Sequence, residues 1–453
     1  MNDMSKRLGE QNIAKLILNL SFPPVIGMLV MSLYNVVDTI FIARAVGTNA
    51  VAGVSIVFPI QLIMSSAVAA LGIGGAAVIS IKLGEKKRDE ANHIYGNVIV
   101  LGFIVGILMI ITGLLFTDFI LSLLGATDTI MPYARDYFVY ILFGMIFMAF
   151  GMPASNIARA EGNAKIQMIT MITGASVNIV LDPIFIFGFD MGVAGAAIAT
   201  VISQVAAAGF VFHYFFMSNK STLKVRSQHL RLHLQMIKDI LSVGSSAFAR
   251  QVAGSFTFIA INYMLIQNGG ELSVAVFGIV HKTMVLTLMP LVGIVQGVQP
   301  IVGYNYGARK FNRVHEAIKA SLKITTIYCV GLFLFIILFS ELMMSLFTDD
   351  AAVIAMGKDA LRIIFLAIFT VGFQSIISGV FQALGKAMPA LILSSARQIL
   401  FLIPLILILP IYFGIYGVWL AFPVADILSF LLCFVFAWKG KLFHWEEKKL
   451  QSI

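Results

Sequence analysis

The sequence predicts an all-α integral membrane protein of twelve transmembrane helices arranged as two six-helix lobes. Three observations carry this prediction. Hydrophobic residues fill 59% of the 453 positions and charged residues 12%, with a mean hydropathy of +0.95; a soluble domain carries roughly a quarter charged. Apolar runs of about 20 residues recur along the chain, each long enough to cross ~30 Å of hydrocarbon as a helix. The chain also repeats itself. Shifted by 223 positions, Gly47 meets Gly270, Gly74 meets Gly297, Phe116 meets Phe339, Ser155 meets Ser378 and Gly162 meets Gly385. Near the end the offset grows to 225, and Gly192-Val193 meets Gly417-Val418. Two similar halves in a membrane point to a transporter with its site at the repeat interface.

The elements follow from where the apolar runs meet charge. The first lobe, 1–217, holds helices at 13–44, 50–82, 92–117, 131–158, 164–188 and 192–217. They are bounded by Lys86-Lys87-Arg88, by Asp118 and Asp128, and by Asp190. A basic, histidine-rich connection, 218–238, joins the halves. The second lobe, 239–453, holds helices at 237–268, 273–306, 314–340, 355–383, 389–412 and 416–439. Its boundaries are Glu271, the group Arg309, Lys310 and Arg313, then Glu341, Asp349 and Asp350, and finally Lys439. Several spans exceed the bilayer thickness and are expected to tilt.

The net charge of +9 follows topology. Basic residues crowd alternate connections, and the others are acidic or neutral, which is the positive-inside pattern. It implies an even number of spans in the cell (inner or plasma) membrane, with both termini cytoplasmic and no role in nucleic-acid binding. Cys329 and Cys433 each lie in an apolar run, so no disulfide framework or thiolate metal site is expected. The polar start, Met1–Glu10, and the length of the first apolar run argue against a cleavable signal. Asn219-Lys220-Ser221 fits a glycosylation sequon on the side read as cytoplasmic.

Enzyme and nucleotide chemistry find no footing. Gly72-Ile73-Gly74-Gly75 lies within an apolar helix, with no strand before it and no Gly-Lys-Ser/Thr after it, so close helix packing explains it better than a phosphate loop. No nucleophile–base pair or metal-ligand set is visible. Uphill transport without an ATP site must draw on an ion gradient. In the connection, His229 and His233 stand four apart and would share a face of a helix, which leaves a regulatory or metal-binding role open. The simpler reading of that stretch is a cytoplasmic linker with an amphipathic segment on anionic lipid.

The acids are unequal between the halves: Asp38 and Asp182 face Ile261 and Leu407 in the second copy. Tyr34, Asn35 and Asp38 have the i, i+3, i+4 spacing of one helical face, and so do Asn178 and Asp182. Each acid lies six residues from the outer end of its helix, at Arg44 and Gly188; that places both ~9 Å below the outer boundary. Thr200 lies one to two turns further in. A carboxylate at membrane depth is usually protonated, paired or bound to a cation, and two close carboxylates cannot both ionise freely. Two acids, an amide and a hydroxyl thus form a candidate pocket for a proton or for Na⁺. The simpler readings are a helix-end residue before Pro183 for Asp182 and a solvated outer-mouth residue for Asp38. Pro23-Pro24 interrupts the first helix, as a fixed kink or as a hinge.

The second half carries cations. Arg397 and Asp426 lie at similar depth on adjacent helices and are expected to neutralise each other. Arg250 and Lys282 have no partner in the sequence, so they line a cavity or reach toward water. Methionines such as Met28, Met31 and Met171, with Phe150, are suited to an adaptable apolar cavity. Tyr34, Asn35, Met171, Asn156, Arg250 and Lys282 are the candidate substrate-cavity residues.

The stretch Asn178-Ile-Val-Leu-Asp-Pro-Ile-Phe-Ile-Phe-Gly-Phe-Asp-Met-Gly-Val-Ala-Gly-Ala-Ala, together with Tyr34-Asn35-Val-Val-Asp38, Arg159-Ala-Glu-Gly-Asn163 and Gly307–Lys310, resembles the multidrug and toxin extrusion (MATE) family. Its DinF-like and MepA-type members are the nearest in pattern, and the resemblance covers nearly the entire chain. It implies two six-helix lobes in a V shape, exchanging drug for H⁺ or Na⁺. It places the cation network on Asp38, Asn178, Asp182 and Thr200, with Tyr34 at its border and the bend of the first helix at Pro23 or Pro24. Other branches put acids on helices seven and ten; here helix seven offers Arg250 and Gln251, and helix ten has no acid between Leu361 and Gln382.

The expected function is a secondary antiporter, not an enzyme. It exports amphipathic, cationic drugs or toxins in exchange for H⁺ or Na⁺, needs no cofactor and no ATP, works among membrane lipids and is a monomer. The alternative is a flippase for lipid or lipid-linked anionic substrates, with Arg250 and Lys282 holding the head group.

Overall fold

The computed structural model describes residues 4–45, 48–440 and Leu442; the side chain of Asn35 lies outside the described set, as does Gly47. Among the described residues the chain is helix, turn and coil, with no strand. That is what lipid demands, because a helix satisfies its own backbone groups.

The first six long helices are α1 (Ile13–Ala45), α2 (Thr48–Gly84), α3 (Arg88–Leu115), α4 (Met131–Ala160), α5 (Ala164–Pro183, continued by a wider turn over Ile184–Gly188) and α6 (Gly192–Phe212). A continuous stretch Leu234–Gly307 leaves helical geometry at Gly270 (φ 64°, ψ −164°), giving α7 (234–269) and α8 (271–307). Then follow α9 (Phe311–Ser345), the bent pair α10 (Ala351–Ile364 with Ile368–Ala383), α11 (Ala387–Phe413) and α12 (Ile415–Lys439). Ten of the described helices are long and apolar enough to cross a membrane, and the bent pair adds an eleventh. Dividing Leu234–Gly307 at Gly270 brings the number to twelve.

Two sequence expectations change. The span predicted at 355–383 is bent by 51° where Phe365–Ala367 leave the helix. Pro23-Pro24 does not interrupt α1, which is helical from Ile13 to Ala45.

The repeat reaches the turns. Lys86 (φ 61°) and Arg309 (φ 56°) both take the left-handed conformation. The N–H groups of Lys86 and Lys87 return to Leu83 and Lys82, as those of Arg309 and Lys310 return to Tyr306 and Asn305. Gly162 (φ 97°) and Gly385 (φ 71°) end α4 and α10 in the same manner.

The chain forms two compact units. One comprises Met1–Leu8 with Pro23–Gly244, and the other Gly9–Phe22 with Ser245–Ile453. The first is centred on Ile42, Val57, Phe138, Ile141, Leu142 and Ile186. In the second, Phe277, Phe365, Trp419 and Phe422 fill the interior, with the Phe277 and Trp419 rings stacked at 6.2 Å. Between helices that lie in lipid, such packing supplies much of the attraction. Gly72 shows its use: a Cβ there would approach the Pro153 backbone to 2.9 Å, so α2 and α4 meet closely.

Residues 218–238 are not an amphipathic helix. They hold one three-residue-per-turn segment, Ser227–Leu230, before α7 begins at Leu234, and they belong to the first unit. Glu161, just past α4, is fully buried. Its Oε2 accepts from Ser221 Oγ (3.0 Å), Thr222 N–H (2.9 Å) and Leu223 N–H (3.4 Å), and its Oε1 accepts from Tyr214 O–H. Burial pushes the Glu161 acid up to about 7 despite these bonds.

Candidate functional site

The site in the first unit is built from α1, α5 and α6. On α5, Asn178 and Asp182 are one turn apart and both almost wholly buried. Asn178 uses one amide nitrogen for two acceptors: Nδ2 donates to Asp182 Oδ1 (3.2 Å) and to Thr200 Oγ1 on α6 (3.3 Å). Thr200 Oγ1 in turn donates to the Ala196 carbonyl at 3.0 Å. Its lone pair is thereby aimed at Asn178 rather than along its own helix.

Asp38 completes the group from α1. Its carboxyl and that of Asp182 are close enough to share a hydrogen bond when one of them carries a proton. Asp38 Oδ1, Asn178 Oδ1 and Asp182 Oδ2 are buried and accept no hydrogen bond from the described residues. Buried polar atoms without partners are costly and rare. Three such oxygens beside a hydroxyl make a set suited to one small cation or to protons. No cofactor is implied by this set, whose atoms are hard oxygen donors.

Tyr34 on α1 is half-buried and lies within electrostatic reach of both acids. Tyr137 on α4 is almost fully buried in the same neighbourhood and hydrogen-bonds Gln61 of α2. Sequence reasoning missed Tyr137 and Gln61. The available signal was polar residues inside apolar spans.

The other candidate residues have surroundings of their own. Met171 on α5 packs against Gly27 of α1, where its sulfur would be 2.7 Å from a Cβ. Asn156 belongs to a buried cluster on α4: its Oδ1 accepts from Arg159 Nη2 (3.2 Å) and Gln167 Nε2 (3.4 Å). Pro23 and Pro24 are both buried within α1. In the second unit, Arg250 on α7 and Lys282 on α8 are exposed.

The second unit lacks the acidic pair. At the repeat positions of Asp38, Asp182 and Thr200 stand Ile261, Leu407 and Ala425. The neighbouring acid Asp426, 1% exposed, is neutralised by Arg397, whose Nε donates to Asp426 Oδ1. This is the pairing expected from their depths in the sequence.

The sequence profile of the MatE family matches the chain twice, over residues 23–184 and 247–408. The chain belongs to the MatE family. The two matches are its two repeats, and the family is one of membrane transporters rather than enzymes. Among curated relatives, the multidrug export protein MepA of Staphylococcus aureus is 28% identical over 419 residues, 92% of each chain. Among solved structures, the MATE multidrug transporter DinF-BH is 47% identical with a TM-score of 0.90, over 98% of this chain and all of that one. A MOP superfamily transporter from Pyrococcus furiosus, described as having a binding pocket of reversed polarity, is 27% identical with a TM-score of 0.90 over 98% of both chains. This MATE protein therefore has the all-helical fold of those transporters and crosses the membrane many times.

Proposed function

We propose that this MATE protein is a multidrug exporter driven by cation antiport, with Asp38, Asn178, Asp182 and Thr200 as the coupling site. The observation that carries the reading is the Asp38–Asp182 contact, beside three buried oxygens that no described residue bonds. Loading the pair with H⁺ or Na⁺ removes its negative charge. A cationic substrate then loses its attraction to the same region, so the two ligands bind in opposition. Tyr34, Asn35, Met171 and Asn156 in the first unit, and Arg250 and Lys282 in the second, are the residues proposed to contact the substrate. Pro23 and Pro24 give α1 the freedom to bend when Asp38 changes its charge. The protein works as a monomer in the cell membrane with both termini in the cytoplasm, among lipids and without ATP.

The test is efflux of a fluorescent organic cation from proteoliposomes under pH and Na⁺ gradients imposed separately. Flux that follows the pH gradient and is lost in Asp38→Asn and Asp182→Asn identifies proton antiport. Flux that follows Na⁺ alone makes the same pocket a sodium site. Undiminished flux in both variants overturns the assignment. The second reading is a flippase for anionic lipid-linked substrates, favoured by the exposed Arg250 and Lys282; scrambling of such a lipid without cation efflux would select it.

A further inference from the structure

Three of the chain's seven histidines meet outside the coupling site. Asp89 and His93 stand one turn apart at the start of α3, and His229 arrives from the connection between the repeats. His229 Nε2 lies 3.0 Å from Asp89 Oδ1, and His93 Nε2 lies 3.8 Å from Asp89 Oδ2. One ligand atom from each of the three lies within 4.8 Å of the others. His233 adds a third imidazole: its ring is 5.2 Å from His93, while the His93 and His229 rings are 4.6 Å apart, both pairs edge to face. His93 Nδ1 is buried without a hydrogen bond from the described residues. The helical face imagined for His229 and His233 is not what joins them. His229 sits in the short turn Ser227–Leu230 and His233 precedes α7, and both converge on His93.

Contacts that do not involve the imidazole rings hold the connection here. The Asn97 amide donates to the Arg231 carbonyl (3.1 Å) and accepts from His233 N–H (2.9 Å). Lys224 N–H donates to Asn92 Oδ1 at 2.8 Å. Gly96 lets the two backbones meet, since a Cβ there would lie 2.0 Å from the His229 carbonyl oxygen. The ring positions are thus set by the fold, which is the condition for a ligand set that binds without a large ordering cost.

We propose that Asp89, His93 and His229 form a binding site for a divalent transition ion of the zinc type, with His233 in reach as a fourth ligand. Imidazole nitrogen and carboxylate oxygen are the ligands such ions take at about 2.0–2.2 Å. Around a tetrahedral ion the ligand atoms lie about 3.3 Å apart. The three groups therefore close by rotating side chains, and Asp89, whose side chain is 74% exposed, is free to do so. His229 Nδ1 accepts Arg226 N–H at 2.9 Å, so its neutral ring carries the proton on Nε2. Coordination through Nε2 shifts that proton to Nδ1 and gives up the Arg226 bond. The bound ion fastens the connection to α3.

The experiment uses the full chain, purified without a polyhistidine tag and stripped with chelator. Co²⁺ is titrated with its visible absorption as readout, then displaced by Zn²⁺. The expected result is one ion per chain with micromolar affinity, and an intense absorption typical of four-coordinate Co²⁺. Asp89→Asn and the pair His93→Gln with His229→Gln should weaken binding by about tenfold or more, whereas His213→Gln and His315→Gln should leave it unchanged. Asp89 is exposed, so its variant separates loss of a ligand from loss of fold. In parallel, Zn²⁺ should slow tryptic cleavage within 218–238 in the native chain and not in Asp89→Asn. No saturable binding in the micromolar range overturns the site, as does saturable binding that survives all three substitutions.

Discussion

Phe116 and Phe339, 223 positions apart, break their helices with almost the same backbone angles: φ −117°, ψ 22° at the first and φ −115°, ψ 18° at the second. The duplicated scaffold therefore extends to single-residue kinks. Against that sameness, the residues that differ between the repeats stand out. Asp38, Asp182 and Thr200 oppose Ile261, Leu407 and Ala425, and Glu161 opposes Leu384. Polar atoms are expensive in a membrane interior, so an architectural duplication alone does not account for acids kept in one copy.

Asn178 joins the group proposed as the coupling site, because its amide reaches both Asp182 and Thr200. A hydrogen bond to a charged group contributes about 1.5–3 kcal/mol. Asn178→Ala should therefore weaken coupling-ion affinity by about tenfold or more. In the efflux assay this appears as a shift of the driving-ion concentration at half-maximal rate. Thr200→Ser keeps the hydroxyl and should leave that midpoint close to native, while Thr200→Ala should move it in the same direction as Asn178→Ala.

The Arg397–Asp426 pair predicts a non-additive pattern. Removing either partner leaves the other charge uncompensated, at a cost of up to about 3–5 kcal/mol where the remaining group is buried, as Asp426 is. Asp426→Leu and Arg397→Leu should each lower the thermal midpoint sharply in detergent. The double variant should recover most of the loss, because an apolar pair satisfies the same site. Equal and additive losses would contradict neutralisation as the pair's role.

Gly96 faces the His229 carbonyl at a distance no side chain tolerates. Gly96→Ala should displace the connection and cost about 1–3 kcal/mol. Hydrogen exchange at residues 224–233 should rise in that variant, with α5 and α6 unchanged.

The residues of the proposed coupling site were legible in the sequence because their signals are local. Asn178 and Asp182 are one helical turn apart, and acids in apolar runs are conspicuous. The twelve spans were legible for the same reason, since hydropathy is read over a short window. What stayed hidden depends on distant contacts. Tyr137 and Gln61 reach the pocket only after α2 and α4 pack. His229 meets Asp89 across 140 positions, and Glu161 meets Leu223 across 62. The bend in α10 at Phe365–Ala367 left no glycine or proline to mark it.

Glu161 makes a prediction whose sign is fixed by burial. Its acid lies at about 7 in the folded chain, against about 4.3 when exposed. The folded state therefore holds this proton more tightly than the unfolded state. The resulting stabilisation is complete below about 4.3 and is lost as pH rises through about 7, levelling off above that. Glu161→Gln cannot titrate and removes this dependence. Thermal midpoints measured in detergent from pH 4.5 to 8 should thus show the native chain losing stability relative to Glu161→Gln across that window. Tyr214→Phe, which removes one donor to the carboxylate, should make the native loss steeper toward neutral pH. A native-minus-variant difference that stays flat with pH would mean that Glu161 holds the connection as a carboxylate throughout, its burial fully offset by the donors from Tyr214, Ser221, Thr222 and Leu223.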